Sequence, residues 1–257
     1  MQINHVNLHV DIKGSGIPFI WGHGLTHNLH TLQQIIYMEE LSQTATVIRY
    51  DARGHGQSDS SPNPADYTWS NLARDMVSIA DSLEIDRFVA GGASMGCATS
   101  LFAAIQHPER ISGLVLALPP TAWENRASQA EQYEKMAQFA EKNGTAALVK
   151  AMRSLPQHWA TQSAFHEFED SLMQMEPSLP TVLRGAKISN MPDEETIRSI
   201  QVPTLILAWT EDLTHPLYTA ETLHRLIHGS ELHIAANLEE VSNWTARIRH
   251  FLEQLSS

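Results

Sequence analysis

The segment Gly92-Ala93-Ser94-Met95-Gly96 constrains this chain more than any other. It follows the apolar run Phe88-Val89-Ala90 and precedes the small-residue stretch Cys97 to Ile105, so it reads as a sharp turn between a strand and a helix. A serine in such a turn is held in strained backbone geometry, and glycines two residues to either side let the chain fold back tightly. The Ser94 hydroxyl is then exposed above a sheet. The helix that follows begins with free N–H groups, that of Met95 first, aimed where an oxyanion forms during acyl transfer. A pattern of five residues with three fixed positions also arises by chance; its place between an apolar strand and a helix gives it weight.

The rest of the chain supplies the surroundings such a turn needs. An alternating segment from Ile3 to Ile12 reads as a strand, and Lys13-Gly14-Ser15-Gly16 as a hairpin-like turn. Further strands are expected at Pro18 to Trp21, Thr46 to Tyr50, Leu114 to Leu118, Thr204 to Trp209 and Glu231 to Ile234. Helices are expected from His30 to Leu41, from Tyr67 to Leu83 with Leu72, Met76, Ile79 and Leu83 on one face, and from Val241 to Leu255. Short continuous apolar strands alternating with helices imply an α/β fold: a mainly parallel sheet flanked by helices. Between Thr121 and Ser199 the strand character disappears, and Ala, Gln, Glu and Met recur at helical spacing, broken at Gly144, Pro156 and Pro177. We read 1–120 and 200–257 as one core domain and 121–199 as a helical cap insertion. Its Met136, Phe139, Leu148, Met152, Trp159 and Phe165 are candidates for lining an apolar pocket or for packing the cap.

Composition narrows the function. The formal charge of −12, with 17 Lys and Arg spread along the chain, argues against nucleic acid as a partner. No apolar run has the length of a membrane span, and Met1-Gln2-Ile3-Asn4-His5 does not open like a signal peptide, so a cytoplasmic location is the expectation. Cys97 is the single cysteine; it excludes an intrachain disulfide and reads as a small packing residue. The fourteen histidines are scattered without ligand spacing, so neither a metal nor another cofactor is expected. Oligomeric state is not legible.

Three motifs together resemble the α/β-hydrolase superfamily, most of all its small capped esterases and enol-lactonases. Trp21-Gly22-His23-Gly24-Leu25 resembles the family's His-Gly oxyanion loop, Asp51 to Asp59 its Arg-Gly-His-Gly-x-Ser turn, and Gly92 to Gly96 its nucleophile elbow. The resemblance implies a serine hydrolase acting on a small ester or lactone, with Ser94 as nucleophile and the N–H groups of Leu25 and Met95 as the oxyanion hole. It places the acid in the loop after Trp209, at Asp212, with Glu211 as the fallback.

The family's base is a histidine between the last strand and last helix, and here that stretch, Ala235-Ala236-Asn237-Leu238-Glu239-Glu240, has none. Serine needs a base to become a nucleophile, and a carboxylate such as Glu240, expected close to Asp212, is a weak one. His215, on the same loop as Asp212, is the first alternative. His27, on the oxyanion loop, is the second, or else a substrate contact. His233 is expected to pack within its strand, and His23 and His55 to make structural hydrogen bonds in their loops. Two other readings stay open: a ligand-binding or regulatory protein with a degraded triad, and a non-hydrolytic acyl transfer through Ser94.

Overall fold

The computed structural model describes residues 1–31, 33, 35–155, 157–162 and 165–256. The strands are β1 (Gln2–Ile3), β2 (Val6–Asn7), β3 (Val10–Lys13), β4 (Ile17–Gly22), β5 (Ala45–Tyr50), β6 (Phe88–Ala93), β7 (Ile111–Ala117), β8 (Thr204–Trp209) and β9 (Glu231–Ala235). β1 and β2 pair with each other, and the other seven form one sheet in the order β3-β5-β4-β6-β7-β8-β9. Only β3 runs antiparallel; every other pairing in that sheet is parallel. β6 and β8 are buried along their whole length, as continuous apolar strands covered on both faces must be. The edge strand β9 is half exposed.

Two readings of the N-terminal region are corrected. Ile3 to Ile12 is divided among β1, β2 and β3, because Asn4 and His5 adopt positive φ and turn the chain back. The glycine turn at 13–16 closes no hairpin. β3 pairs with β5, and β4 lies on β5's other side, so the turn carries the chain past a strand that comes later in sequence. A Cβ on Gly14 or Gly16 would sit 2.0 Å from Ser42 O or 2.4 Å from Thr44 O, so both glycines are needed where the turn crosses the end of β5.

The helices are α1 (Met38–Leu41), α2 (Trp69–Ser82), α3 (Met95–Gln106), α4 (Arg126–Asn143), α5 (Thr145–Arg153), α6 (Phe165–Gln174), α7 (Leu179–Lys187), α8 (Glu194–Arg198), α9 (Leu217–Leu226), α10 (Leu238–Ser242) and α11 (Trp244–Leu255). The helix expected from His30 is shorter: α1 starts at Met38, and the described residues before it are turns and bends, Leu32 and Gln34 lying outside the description. Leu72, Met76 and Ile79 do form the buried face of α2. The closing helix is two, because Asn243 separates α10 from α11.

Residues 121–199 contain no strand among the described residues. Gly144, at φ 84°, breaks α4 from α5, and Pro177 lies between α6 and α7; Pro156 is outside the described residues. These helices bury a cluster of their own, including Tyr133, Leu148, Leu172 and Leu183, seated on Tyr67 of the core. No helix among the described residues is long and apolar enough to cross a membrane.

Candidate active site

The turn after β6 is built as its glycines require. Ser94 has φ 54° and ψ −108°, a conformation that costs energy in any L-residue and is sustained only by the packing around it. A Cβ on Gly92 would lie 2.5 Å from Gly96 C, and one on Gly96 would lie 2.0 Å from Gly22 O. No side chain fits at either position, so α3 closes directly onto the end of β4. The Gly96 N–H donates to His23 O at 3.0 Å, which fastens the loop after β4 to the start of α3.

That loop carries the second half of the expected oxyanion site. A Cβ on Gly24 would stand 3.6 Å from the Ser94 Cβ, so the backbone of residues 23–25 passes beside the serine. Met95 opens α3, and its N–H has no carbonyl one turn back to bond. The His23 ring turns inward: its Nε2 accepts the Ala52 N–H at 2.9 Å and its Nδ1 donates to Gly24 O at 2.8 Å. Burial lowers the His23 pKa to about 4, the Gly24 bond opposing and nearby His27 adding to the fall. His55, 4.9 Å from His23 between ring centroids, is lowered to about 3 by burial and then by His23. Both rings are neutral structural parts of the loops.

The loop after β8 brings the remaining groups to Ser94. His215 Nε2 is 2.9 Å from Ser94 Oγ, and His215 Nδ1 is 2.7 Å from Asp212 Oδ2. An ionised Asp212 only accepts, so the ring proton sits on Nδ1 and Nε2 is free to accept from the serine hydroxyl. Asp212 is fixed by three further donors: the Trp209 indole N–H at 2.7 Å, the Thr214 N–H at 2.8 Å and the His215 N–H at 3.1 Å. Burial pushes its pKa up, but the hydrogen bond and charge of His215, with the Trp209 and Thr214 donors, outweigh it and hold the carboxylate well below its usual range. The turn is tight because Glu211 takes a positive φ of 65°.

The other candidates lie elsewhere. Glu211 is an exposed residue on the rim of the cleft. His27 Nδ1 donates to Leu25 O at 2.9 Å, and its ring packs 5.6 Å from Phe168; burial lowers its pKa, the Leu25 bond opposing and His215 adding. The stretch 235–240 is occupied with its own backbone. Asn237 caps α10 by accepting the Glu240 N–H at 3.0 Å, and the Glu240 carboxylate takes the Ala236 N–H at 2.6 Å. Glu240 lines a separate surface hollow with His233 and Arg247, not the cleft beside Asp212. His233 faces Glu231 and Arg247. Cys97 is fully buried, and burial pushes its thiol up.

A cleft of about 520 Å³ opens over this loop, with Asp212, His215 and His27 in its wall. Ser94 is not itself part of the lining and meets the cleft through His215. Of the cap residues singled out in the sequence, Met152 and Phe165 line the cleft. Leu148 and Met136 pack within the cap cluster, Phe139 is exposed, and Trp159 packs against the core and Trp209. Sequence reasoning missed two groups. Trp209, read only as a strand end, donates to Asp212 and is stacked between His158 at 4.6 Å and Trp244 at 5.8 Å. His158, set aside as scattered, bonds Thr210 O at 2.8 Å and lines the cleft. The available signal was the spacing of Trp209, Asp212 and His215, each three residues from the last.

A mostly parallel sheet with a strained serine at the end of its central strand defines the class. The chain belongs to the alpha/beta hydrolase fold family, which it matches over residues 17–245. Among proteins it is similar to, 3-oxoadipate enol-lactonase 1 of Acinetobacter baylyi is 28% identical over 198 residues, 73% of this chain and 69% of that protein. Epoxide hydrolase 2 of Siraitia grosvenorii is 29% identical over 116 residues, 45% of this chain; the match spans only 36% of that protein. A thermophilic esterase from Thermogutta terrifontis superposes with a TM-score of 0.83 at 22% identity, covering 98% of this chain and 95% of the other, a likeness of fold.

Proposed function

We propose that this protein is a serine hydrolase that cleaves a small carboxylic ester or lactone through an acyl-enzyme on Ser94. The observation that carries the reading is the unbroken hydrogen-bond chain from Ser94 Oγ through His215 to Asp212. In this reading His215 Nε2 takes the serine proton as Oγ attacks the carbonyl, and the imidazolium then returns that proton to the departing alkoxide. Asp212 holds the tautomer and balances the transient positive charge. The N–H groups of Leu25 and Met95 receive the oxyanion. Water, deprotonated by the same imidazole, releases the acyl group and restores Ser94. His27 contacts the substrate from the cleft wall, and residues 121–199 act as a cap over a core of 1–120 and 200–257.

The test compares wild type, Ser94→Ala and His215→Ala for labelling by a fluorophosphonate and turnover of 4-nitrophenyl butyrate. Loss of both in both variants supports the reading. Labelling that needs Ser94 but not His215 moves the base elsewhere, His27 being next to examine. No labelling of wild type would overturn the reading in favour of a ligand-binding protein on this fold.

A further inference from the structure

The loop that carries Asp212 and His215 does little to hold itself. Leu213, in its middle, is 93% exposed and Glu211 is exposed as well, so neither buries a side chain that would anchor the turn. The loop is also strained, because Glu211 takes a positive φ, a conformation that persists in such a residue only where its surroundings impose it. The constraint comes from outside the loop. The Thr210 N–H donates to Ala235 O, at the end of β9, at 3.0 Å, while the two loop carbonyls Thr210 O and Thr214 O are bonded by residues of the helical segment 121–199.

The first of these residues opens that segment: the Thr121 N–H donates to Thr214 O at 3.1 Å. The second is His158, whose Nε2 is 2.8 Å from Thr210 O. The Ala160 N–H donates to Nδ1 of the same ring at 3.2 Å, so the ring proton sits on Nε2 and is given to the Thr210 carbonyl. Both ring nitrogens are engaged by backbone. One face of the ring lies on the Trp209 indole, 4.6 Å between centroids and 26° from parallel, and that indole donates to Asp212 at 2.7 Å.

His158 thus reaches the loop by two routes. The Thr210 carbonyl belongs to the planar peptide that ends at the Glu211 nitrogen, so holding it fixes the plane from which the positive φ is turned. Contact with the Trp209 ring, whose other face lies on Trp244, keeps the indole N–H directed at Asp212. Released from that plane, Glu211 can relax toward an ordinary φ, and the neighbouring Asp212 carboxylate turns with it.

We propose that His158 is a positioning residue: it ties the segment 121–199 to the loop 210–215 and thereby sets the Asp212–His215 geometry. The kinetic arm of the proposal rests on the hydrolase reading, and its structural arm on the contacts of the loop alone.

The kinetic arm uses His158→Phe, which keeps a ring on Trp209 and removes the bond to Thr210 O. With 4-nitrophenyl butyrate, kcat should fall about tenfold while KM stays within about twofold. In an Asp212→Asn background the same change should cost about twofold or less, because its effect passes through Asp212. A raised KM at unchanged kcat would make His158 a substrate contact, and an undiminished loss in the Asp212→Asn background would show that it does not act through Asp212. Either result overturns the proposal.

The structural arm needs no turnover. Hydrogen exchange is followed by mass spectrometry on peptides covering 157–162 and 210–216. In wild type the two should open together, with protection within about threefold of each other, and in His158→Phe the second should exchange at least about tenfold faster. Should 157–162 open freely in wild type while 210–216 stays protected, the segment does not hold the loop and the proposal falls, whether or not the variant folds. A wild type neither labelled at Ser94 nor active would sink the hydrolase reading, and the exchange measurement would still decide whether His158 holds the loop.

Discussion

Asp212 and His215 are three residues apart on one loop, yet the imidazole Nδ1 of the second reaches the carboxylate of the first at 2.7 Å while its Nε2 reaches Ser94 at 2.9 Å. Carboxylate and imidazole thus come from a single turn after β8, and the loop after β9 is left to cap α10. The positive φ at Glu211 and the backbone N–H groups of Thr214 and His215, both donating to Asp212, are what make so short a span suffice.

If these groups act as one unit, their removal is not additive. Ser94→Ala and His215→Ala should each lower kcat by about 10³-fold or more, and the double variant should be no worse than either alone. Asp212→Asn should lose less than His215→Ala. Steady-state kinetics on 4-nitrophenyl butyrate checks this, and additive losses would show that the contact between Ser94 and His215 is not used.

Trp209 is a positioning residue in this scheme. Trp209→Phe keeps an aromatic ring between His158 and Trp244 but removes the indole N–H from Asp212. We expect kcat to fall about tenfold with KM little changed, since the lost bond orients the acid and touches no substrate. A purely structural ring would leave kcat intact in Trp209→Phe and lose thermal stability only on Trp209→Ala.

Gly96 and Gly144 separate steric need from backbone strain. Gly96→Ala places a methyl 2.0 Å from Gly22 O between two buried backbone segments, and it should cost about 3 kcal/mol or more, or prevent folding. Gly144→Ala meets no atom within 4 Å and suffers only its backbone, φ 84° and ψ 158°, a region essentially confined to glycine, so about 2 kcal/mol is expected. Urea denaturation of the two variants measures the difference.

Stability should fall as the solution is acidified below the ordinary histidine range. The folded-state pKa values of His23 and His55 are lowered from 6.5 to about 4 and about 3. Between 6.5 and those values the unfolded chain binds protons that the folded chain refuses, so the contribution is fully present above 6.5 and lost as pH falls toward 4. Each ring adds a slope of up to about 1.4 kcal/mol per pH unit. Denaturation at a series of pH values, in wild type and His55→Gln, should show a steep decline whose slope the variant lowers, His23 and His27 still contributing.

What could be read from the chain divides along a physical line. Local rules act through backbone sterics and side-chain periodicity, so the strand, strained serine and helix around Gly92 to Gly96 were legible, as were the buried strands β6, β7 and β8. The loss of strand character after Thr121 marked the helical segment in the same way. The limits appeared where partners are remote. The hairpin expected at Gly14 to Gly16 failed because β3 found β5, a strand whose sequence had not yet been reached.

The site divides similarly. The sequence alone determined that a serine sits on a glycine-flanked turn, that Asp212 follows a buried strand, and that the stretch 235–240 holds no histidine. It left His215 and His27 as alternatives, because both lie on loops and a loop's periodicity says nothing about where its side chains point. Only the tertiary structure decided that His215, 121 residues from Ser94, meets its hydroxyl while His27 turns to Leu25 O. It also decided that Trp209 secures the Asp212 carboxylate. Those outcomes depend on how the ends of β6 and β8 are held on either side of β7, distances no local stretch of sequence encodes.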